Sequence, residues 1–314
     1  MKEFIQKQLQ NIRALIARLV KRAPQQEVQQ EPQQEAGTRR KKAKLSIWNI
    51  LPKVLMVVFV ATFCFSAFQI FRNSKQAGNR DQLYNGLANI AVKPADPKPN
   101  NNQSSGSNAT DSTGSAEIEL APGLTIAEYS PISVDFELLQ EQNSDVMAWV
   151  YCPGTPISYP VVRGTDNDYY LSRLLDGTEN RAGSIFADCR NRVDFSDPHT
   201  LIYGHNMKDL SMFGSVYKYG SQSYYEQHPV WYINTPEKNY AVVLLAGHVT
   251  SPSAEIYAFK GTPEEPMEIL QNALRSSAFK SMATYQEGEH LVTFSTCHGS
   301  SRRFILVGAL REIG

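Results

Sequence analysis

The sequence is short of the residues from which disulfide frameworks and metal centres are built. Four cysteines occur in 314 residues, and Cys64 falls in a long apolar run, which leaves Cys152, Cys189 and Cys297. Three thiols cannot all pair within one monomer, so at least one stays free or bonds another chain. Spacing leaves a Cys152–Cys189 bridge open, because pairing depends on how closely the two Cα atoms approach. No pair among the six histidines has zinc-ligand spacing, so neither a metal nor another cofactor is expected. Net charge is missing too, with 31 basic and 31 acidic side chains. That balance hides an asymmetry: residues 1–44 carry eleven Lys/Arg against four Glu, so the rest of the chain is acidic by the same margin. A globular part of that sign is a poor partner for nucleic acid, and none is expected.

Long uncharged stretches are also scarce, and the main one runs from Val54 to Phe71, extended upstream by Leu45 to Leu51. A membrane span takes about 20 apolar residues. Lys53 can snorkel to the interface and Trp48 can anchor at headgroup depth. Arg39, Arg40, Lys41, Lys42 and Lys44 outweigh the sparser Arg72, Lys75 and Arg80, so the positive-inside rule places the N-terminus in the cytoplasm and the C-terminus outside. The run lies too deep in the chain for a cleavable signal peptide and fits an uncleaved signal anchor. Upstream, Ile5, Leu9, Ile12, Ile16 and Leu19 recur at helical spacing among basic residues, as in a helix that lies on an anionic leaflet or binds a partner. Gln25 to Gln34 is polar without an apolar face, and Lys93 to Ser115 is rich in Pro, then Asn, Ser and Gly, as in an extended and then flexible spacer. The expected organisation is a cytoplasmic basic tail (1–44), a transmembrane signal anchor (45–72), an extracellular linker (73–119) and one globular domain (120–314).

Within that domain, alternating β-branched and aromatic runs predict strands at Val146–Tyr151, Ile157–Val162, Ser184–Ala187, Leu201–Tyr203, Val230–Asn234, Tyr240–Val249, Leu291–Thr296 and Phe304–Leu310. Short helices are expected at Ser133–Gln142, with Ser133 as N-cap, at Asp168–Leu174 and at Met212–Tyr217. Thr262-Pro263-Glu264-Glu265 reads as a capping box opening a further helix. About eight short strands with few helices indicate a mostly β fold, a closed or nearly closed barrel.

Two strand ends carry reactive groups. Thr293-Phe294-Ser295-Thr296-Cys297 delivers a thiol, the following strand opens at Arg303, and Thr200-Leu201-Ile202-Tyr203-Gly204-His205-Asn206-Met207 delivers an imidazole after a glycine. A thiolate is the nucleophile that such a site needs, and an imidazole can take its proton and later protonate a leaving amine. His205 is the candidate, with His248, which closes a strand after Gly247, as its rival. His298 adjoins Cys297 but points to the opposite strand face. Arg302 and Arg303 compete for the oxyanion role, and alternation sends them to opposite faces.

These two stretches resemble the sortases, whose signature is T-L-x-T-C with a strand-opening arginine and a histidine closing an earlier strand; here Phe294 stands for the leucine. The likeness to class B sortases extends through Pro153-Gly154-Thr155, Tyr159-Pro160-Val161-Val162, Asp166 to Leu171, Gly183-Ser184-Ile185-Phe186 and Ser211-Met212-Phe213-Gly214, over about the last 180 residues. The resemblance implies an eight-stranded sortase-type barrel behind one transmembrane helix, and a cysteine transpeptidase of the Gram-positive surface. It would cleave an NPxTx or LPxTG-like sorting signal near the C-terminus of a secreted protein and join the new carboxyl end to a peptidoglycan precursor amine of the lipid II type. Cys297 would be the nucleophile, His205 the proton donor and acceptor, and Arg303 the oxyanion and substrate stabiliser, with Asn167, Leu171 and Ser295 lining the substrate groove. The enzyme would sit in the plasma membrane. Pilin polymerisation and a silent tethered binding module are the alternatives. Anchoring is favoured because no second apolar run precedes Gly314, and the intact Cys297, His205 and Arg303 argue against a silent module.

Overall fold

The computed structural model describes residues 47–95, 117–299 and 301–314. The amphipathic stretch, the polar tract, the basic cluster and most of the Lys93–Ser115 spacer lie outside the described residues. Of the described residues, those up to Ala61 fall in one unit and those from Thr62 in another.

Helix α1 (Ile47–Ala91) leaves its apolar side chains between Leu51 and Phe71 exposed, and among the described residues it is the one helix long and apolar enough to cross a membrane. Within the second unit the same helix changes character: Arg80, Tyr84, Leu87 and Ala91 are buried. Strand β1 (Val92–Pro94) follows, β2 (Glu117–Ala121) and β3 (Leu124–Ala127) form a hairpin, and β4 (Ile132–Val134) pairs with β1. Helix α2 spans Phe136–Gln142, and its N-cap is Asp135, whose carboxylate accepts the Leu138 N–H at 3.0 Å. Ser133, the expected cap, is held in β4 opposite Lys93, where its extended backbone belongs to a ladder.

The barrel consists of β5 (Val146–Tyr151), β6 (Ser158–Val162), β7 (Ile185–Ala187), β8 (His199–Tyr203), β9 (Val230–Asn234), β10 (Asn239–Thr250), β11 (Leu291–His298) and β12 (Arg302–Ile313). They close in the order β10-β12-β11-β8-β7-β6-β5-β9. Each expected strand is present, and the last two run longer than their apolar stretches because the ladder carries polar ends along. Two short 3-10 turns, Tyr169–Leu171 and Val216–Gly220, stand where longer helices were expected. Helix α3 is Gln222–Gln227 and α4 is Glu265–Arg275. The expected capping box does not form. Glu265 is the first residue of α4, and its carboxylate instead accepts the Lys260 and Gly261 N–H groups at 3.0 and 2.6 Å.

Alternation divides β11 and β12 cleanly. Val292, Phe294, Phe304 and Leu306 join the main core, where Phe294 stacks on Trp231 with ring centroids 4.3 Å apart. Leu291, Ile305 and Val307 join a second cluster with Leu201 of β8 and Ile269, Leu270 and Ala273 of α4. Each large apolar side chain buried this way is worth about 1.5–3 kcal/mol. Both faces of these strands are therefore occupied, and a one-residue slip would move every side chain to the wrong cluster.

Candidate active site

Strands β8 and β11 run parallel, so their C-terminal ends meet at one pole of the barrel. Their register pairs Leu291 with His199, Thr293 with Leu201 and Ser295 with Tyr203. Continued by two residues, it sets His205 beside Cys297. The antiparallel partner completes the arrangement, since Cys297 lies opposite Arg303 and His298 opposite Arg302. By alternation Arg303 shares the face of Cys297, Ser295, Ile305 and Val307, while Arg302 falls on the other.

A cleft of about 290 Å³ opens on this face, and Cys297, His205, Arg303, Asn167, Leu171 and Ser295 all line it. The structure thus brings together all six expected site residues. His248 is not among the lining residues; it sits opposite Ile305, and burial lowers its pKa. A larger cavity, about 820 Å³, occupies the opposite pole beside Asp145, Glu237 and His290, with no cysteine in its wall.

Local backbone geometry aims the imidazole. Gly204 has no space for a side chain: a Cβ there would meet Ile185 Cδ1 at 2.5 Å and Phe213 Cδ2 at 2.6 Å. Its N–H donates to the Ser295 carbonyl at 3.1 Å, which ties the end of β8 to β11. His205 Nε2 lies 2.8 Å from the Leu171 carbonyl oxygen. A carbonyl can only accept, so Nε2 carries the hydrogen and Nδ1 is the nitrogen left to exchange a proton. Asn206 donates from its side-chain amide to the Cys297 carbonyl at 2.7 Å, fastening the histidine segment to the cysteine segment. Arg303 directs one N–H to the Arg302 carbonyl at 3.1 Å.

Beneath the cleft, the Ser295 hydroxyl meets Tyr257 OH at 2.8 Å, and Tyr203 OH donates to Asp188 Oδ2 at 2.8 Å. Burial would raise the Asp188 carboxyl, but the Arg190 guanidinium and backbone N–H together with Tyr203 OH outweigh it and hold the group below the usual carboxylate range. Asn167 is turned into this bracket, donating to Asp188 at 3.1 Å and accepting from the Cys189 N–H at 2.8 Å. Leu171 presents its carbonyl to His205 and its exposed side chain to the cleft. Sequence reasoning missed Tyr257 and the Asn206 amide. Asn206 lay inside a motif already singled out, whereas nothing marked Tyr257. All four cysteines are free, so the Cys152–Cys189 bridge is absent; burial pushes the Cys152 thiol up to about 11. Among the described residues, no group of three or more His, Cys, Asp or Glu side chains is placed to hold a metal ion.

No family model matches the chain. Sortase B of Listeria monocytogenes is 35% identical over 162 residues, 51% of this chain and 65% of that protein, so the chain spans just under two thirds of that relative. The crystal structure of sortase B from B. anthracis shares 34% identity over 56% of this chain and 84% of its own, with a TM-score of 0.52. The chain belongs to the class B sortases. Sortases are cysteine transpeptidases, and the thiol, imidazole and guanidinium at one cleft are the groups such chemistry uses. A complex of Staphylococcus aureus sortase B with substrate matches this sortase at a TM-score of 0.54 and 26% identity, over 57% of the chain and 85% of its own.

Proposed function

We propose that this chain is a membrane-anchored transpeptidase that cuts an NPxTx or LPxTG-like sorting signal near the C-terminus of a secreted protein and joins the new carboxyl end to a peptidoglycan precursor amine of the lipid II type. The observation that carries the reading is the meeting of Cys297, His205 and Arg303 at one cleft, with Nδ1 of His205 left for proton exchange. Cys297 gives its proton to Nδ1, and the thiolate attacks the carbonyl carbon of the signal's threonine. Arg303 stabilises the charge that develops on the carbonyl oxygen. The imidazolium then protonates the departing amine as the C–N bond breaks, leaving a thioester on Cys297. The incoming amine gives its proton to His205, attacks the thioester and releases the Cys297 thiolate, which regains its proton. Asn167, Leu171 and Ser295 belong to the groove that holds the signal; Ser295 acts with its Tyr257 partner, and Asn167 supports the wall through Asp188.

Incubating the full chain with libraries of NPxTx and LPxTG peptides and amine acceptors tests this. A Cys297-linked thioester resolved by an amine is the expected result, and a chain that yields neither with any peptide ends the proposal. The anchor holds the enzyme in the plasma membrane with residues 1–44 inside and the barrel outside, a reading supported by the Arg39–Lys44 cluster and the exposed apolar face of α1. Protease added to intact cells then digests or releases the barrel; protection until lysis reverses the orientation.

A further inference from the structure

His205 is held from two sides, and helix α1 touches both. On one side is the segment from Asn206 to Gly214. Asn206 bridges Met212, and the Phe213 N–H donates to the His205 carbonyl at 3.0 Å. Two non-glycine residues here are left-handed, Leu210 at φ 67° and Met212 at φ 54°, a conformation that persists only where its surroundings impose it. Two contacts lead from that strain to α1. Asp209 takes the Ser211 N–H and hydroxyl on Oδ1 and a guanidinium N–H of Arg80 on Oδ2 at 3.0 Å. The Met212 N–H donates to Tyr159 OH at 3.1 Å, and the Tyr159 ring packs edge-on against Tyr84, centroids 5.5 Å apart.

On the other side is the Leu171 carbonyl that fixes Nε2. Its neighbour Tyr170 accepts the Ser184 N–H at 3.0 Å, and Ser184 Oγ donates to the Arg173 carbonyl at 2.9 Å. Because that hydroxyl hydrogen is committed, Tyr84 OH is the donor in its 3.0 Å contact with Ser184 Oγ. Asn180, four residues upstream, donates to the Gln76 carbonyl of α1 at 2.7 Å. Arg80 itself is only 4% exposed, with Asp81 as its second carboxylate partner. Burying a guanidinium is poor value for stability alone.

We propose that Arg80 and Tyr84 are positioning residues for His205, so that the helix leaving the apolar segment forms part of the catalytic scaffold. The proposal rests on the reading of His205 and Cys297 given above. Removing the Arg80–Asp209 bond frees the left-handed segment, and His205 loses its fixed approach to the thiol. A small misplacement of this kind lowers the chemical step while leaving signal binding alone.

The test measures single-turnover acylation of Cys297 by a sorting-signal peptide across about pH 5 to 9, using the full chain in detergent micelles, together with thermal melting. Asp209 is about half exposed, so Asp209→Ala leaves no cavity. Asp209→Ala is expected to lower the maximal acylation rate roughly 10-fold, leave KM and the melting temperature in place, and displace the limb of the pH–rate profile that reports His205. Arg80→Ala should lower the rate by the same factor, with a lower melting temperature because its side chain is buried, and the double variant should acylate no more slowly than either single one. Acylation by Asp209→Ala within about twofold of the parent chain, or a loss confined to KM, overturns the proposal. If Arg80→Ala does not fold, Asp209→Ala decides alone. An inactive His205→Ala beside a fully active Asp209→Ala removes only this inference, whereas an active His205→Ala overturns both it and the site assignment.

Discussion

Strand β8 opens on His199 and is followed two residues past its end by His205, and each histidine lies toward a nucleophile-type side chain of β11. At the N-terminal end His199 Nε2 lies 2.9 Å from Thr293 Oγ1, and Glu265 stands 3.8 Å from Nδ1. At the C-terminal end His205 and Cys297 line an open cleft beside Arg303. The first trio has the residue types of a hydroxyl–imidazole–carboxylate triad, although the 3.8 Å to Glu265 is longer than a hydrogen bond. It is also sealed, with His199 and Thr293 0% exposed and Glu265 3%, whereas the second is open to a peptide. Chemistry of residue type does not make a site. Position along the same strand face decides whether such a group fastens the fold or meets a substrate.

The largest contrast expected between the two ends comes from deleting the reactive atoms. Cys297→Ala should reduce peptide cleavage and transfer to background while changing stability by no more than about 1 kcal/mol, and His205→Ala should fall nearly as far. Residual turnover above trace in Cys297→Ala would move the nucleophile elsewhere. Next in size is Arg303→Lys, which keeps the charge but loses the planar fork. It should slow acylation on the order of 10²-fold, with Arg302→Lys close to the parent chain. The reverse ranking in single-turnover assays would shift the oxyanion role one residue upstream.

At the sealed end the effects should be on stability. Burial tends to raise the Glu265 carboxyl, but the His199 imidazole and the N–H groups of Lys260 and Gly261 prevail and hold it at about 2, below its ordinary 4.5. A folded-state value below the unfolded one gives stability that is complete above the unfolded value and lost as pH falls toward the folded value. Denaturant titrations should therefore show on the order of 2 kcal/mol disappearing between about pH 4.5 and 2 in the parent chain, a slope that Glu265→Gln flattens without slowing acylation at neutral pH. Smallest is Thr293→Val, which leaves His199 Nε2 without its partner and should cost about 1–2 kcal/mol with acylation unchanged. A large activity loss in either variant would make the sealed trio part of the chemistry.

The strands were legible because each is a run of β-branched and aromatic residues long enough to fill a ladder, and turn residues bound them. That Arg302 and Arg303 face opposite ways was likewise legible from the two-residue period of a strand, but the preference for Arg303 came from the family motif, and its pairing opposite Cys297 is a matter of the β11–β12 register. Other features had no such signal. The group that holds His205 is the carbonyl of Leu171, and a carbonyl is common to every residue. Tyr257 approaches Ser295 from a separate connection, about 40 positions away in the chain, so only folding pairs them. The cap of α2 moved from Ser133 to Asp135 because pairing of β4 with β1 claimed the serine first, a long-range contact overriding a local preference.

Sequence by itself pointed to the barrel class, the apolar segment, the family and the candidate thiol, imidazole and guanidinium, since periodicity and motif spacing are local properties of the chain. Tertiary structure alone decided which end of β8 is open, which nitrogen of His205 is tied down, and that Arg80 and Tyr84 of α1 lie against the histidine's supports. These depend on parallel pairing of β8 with β11 and on the docking of a helix from far upstream. Both are contacts between distant residues, for which no local pattern is required.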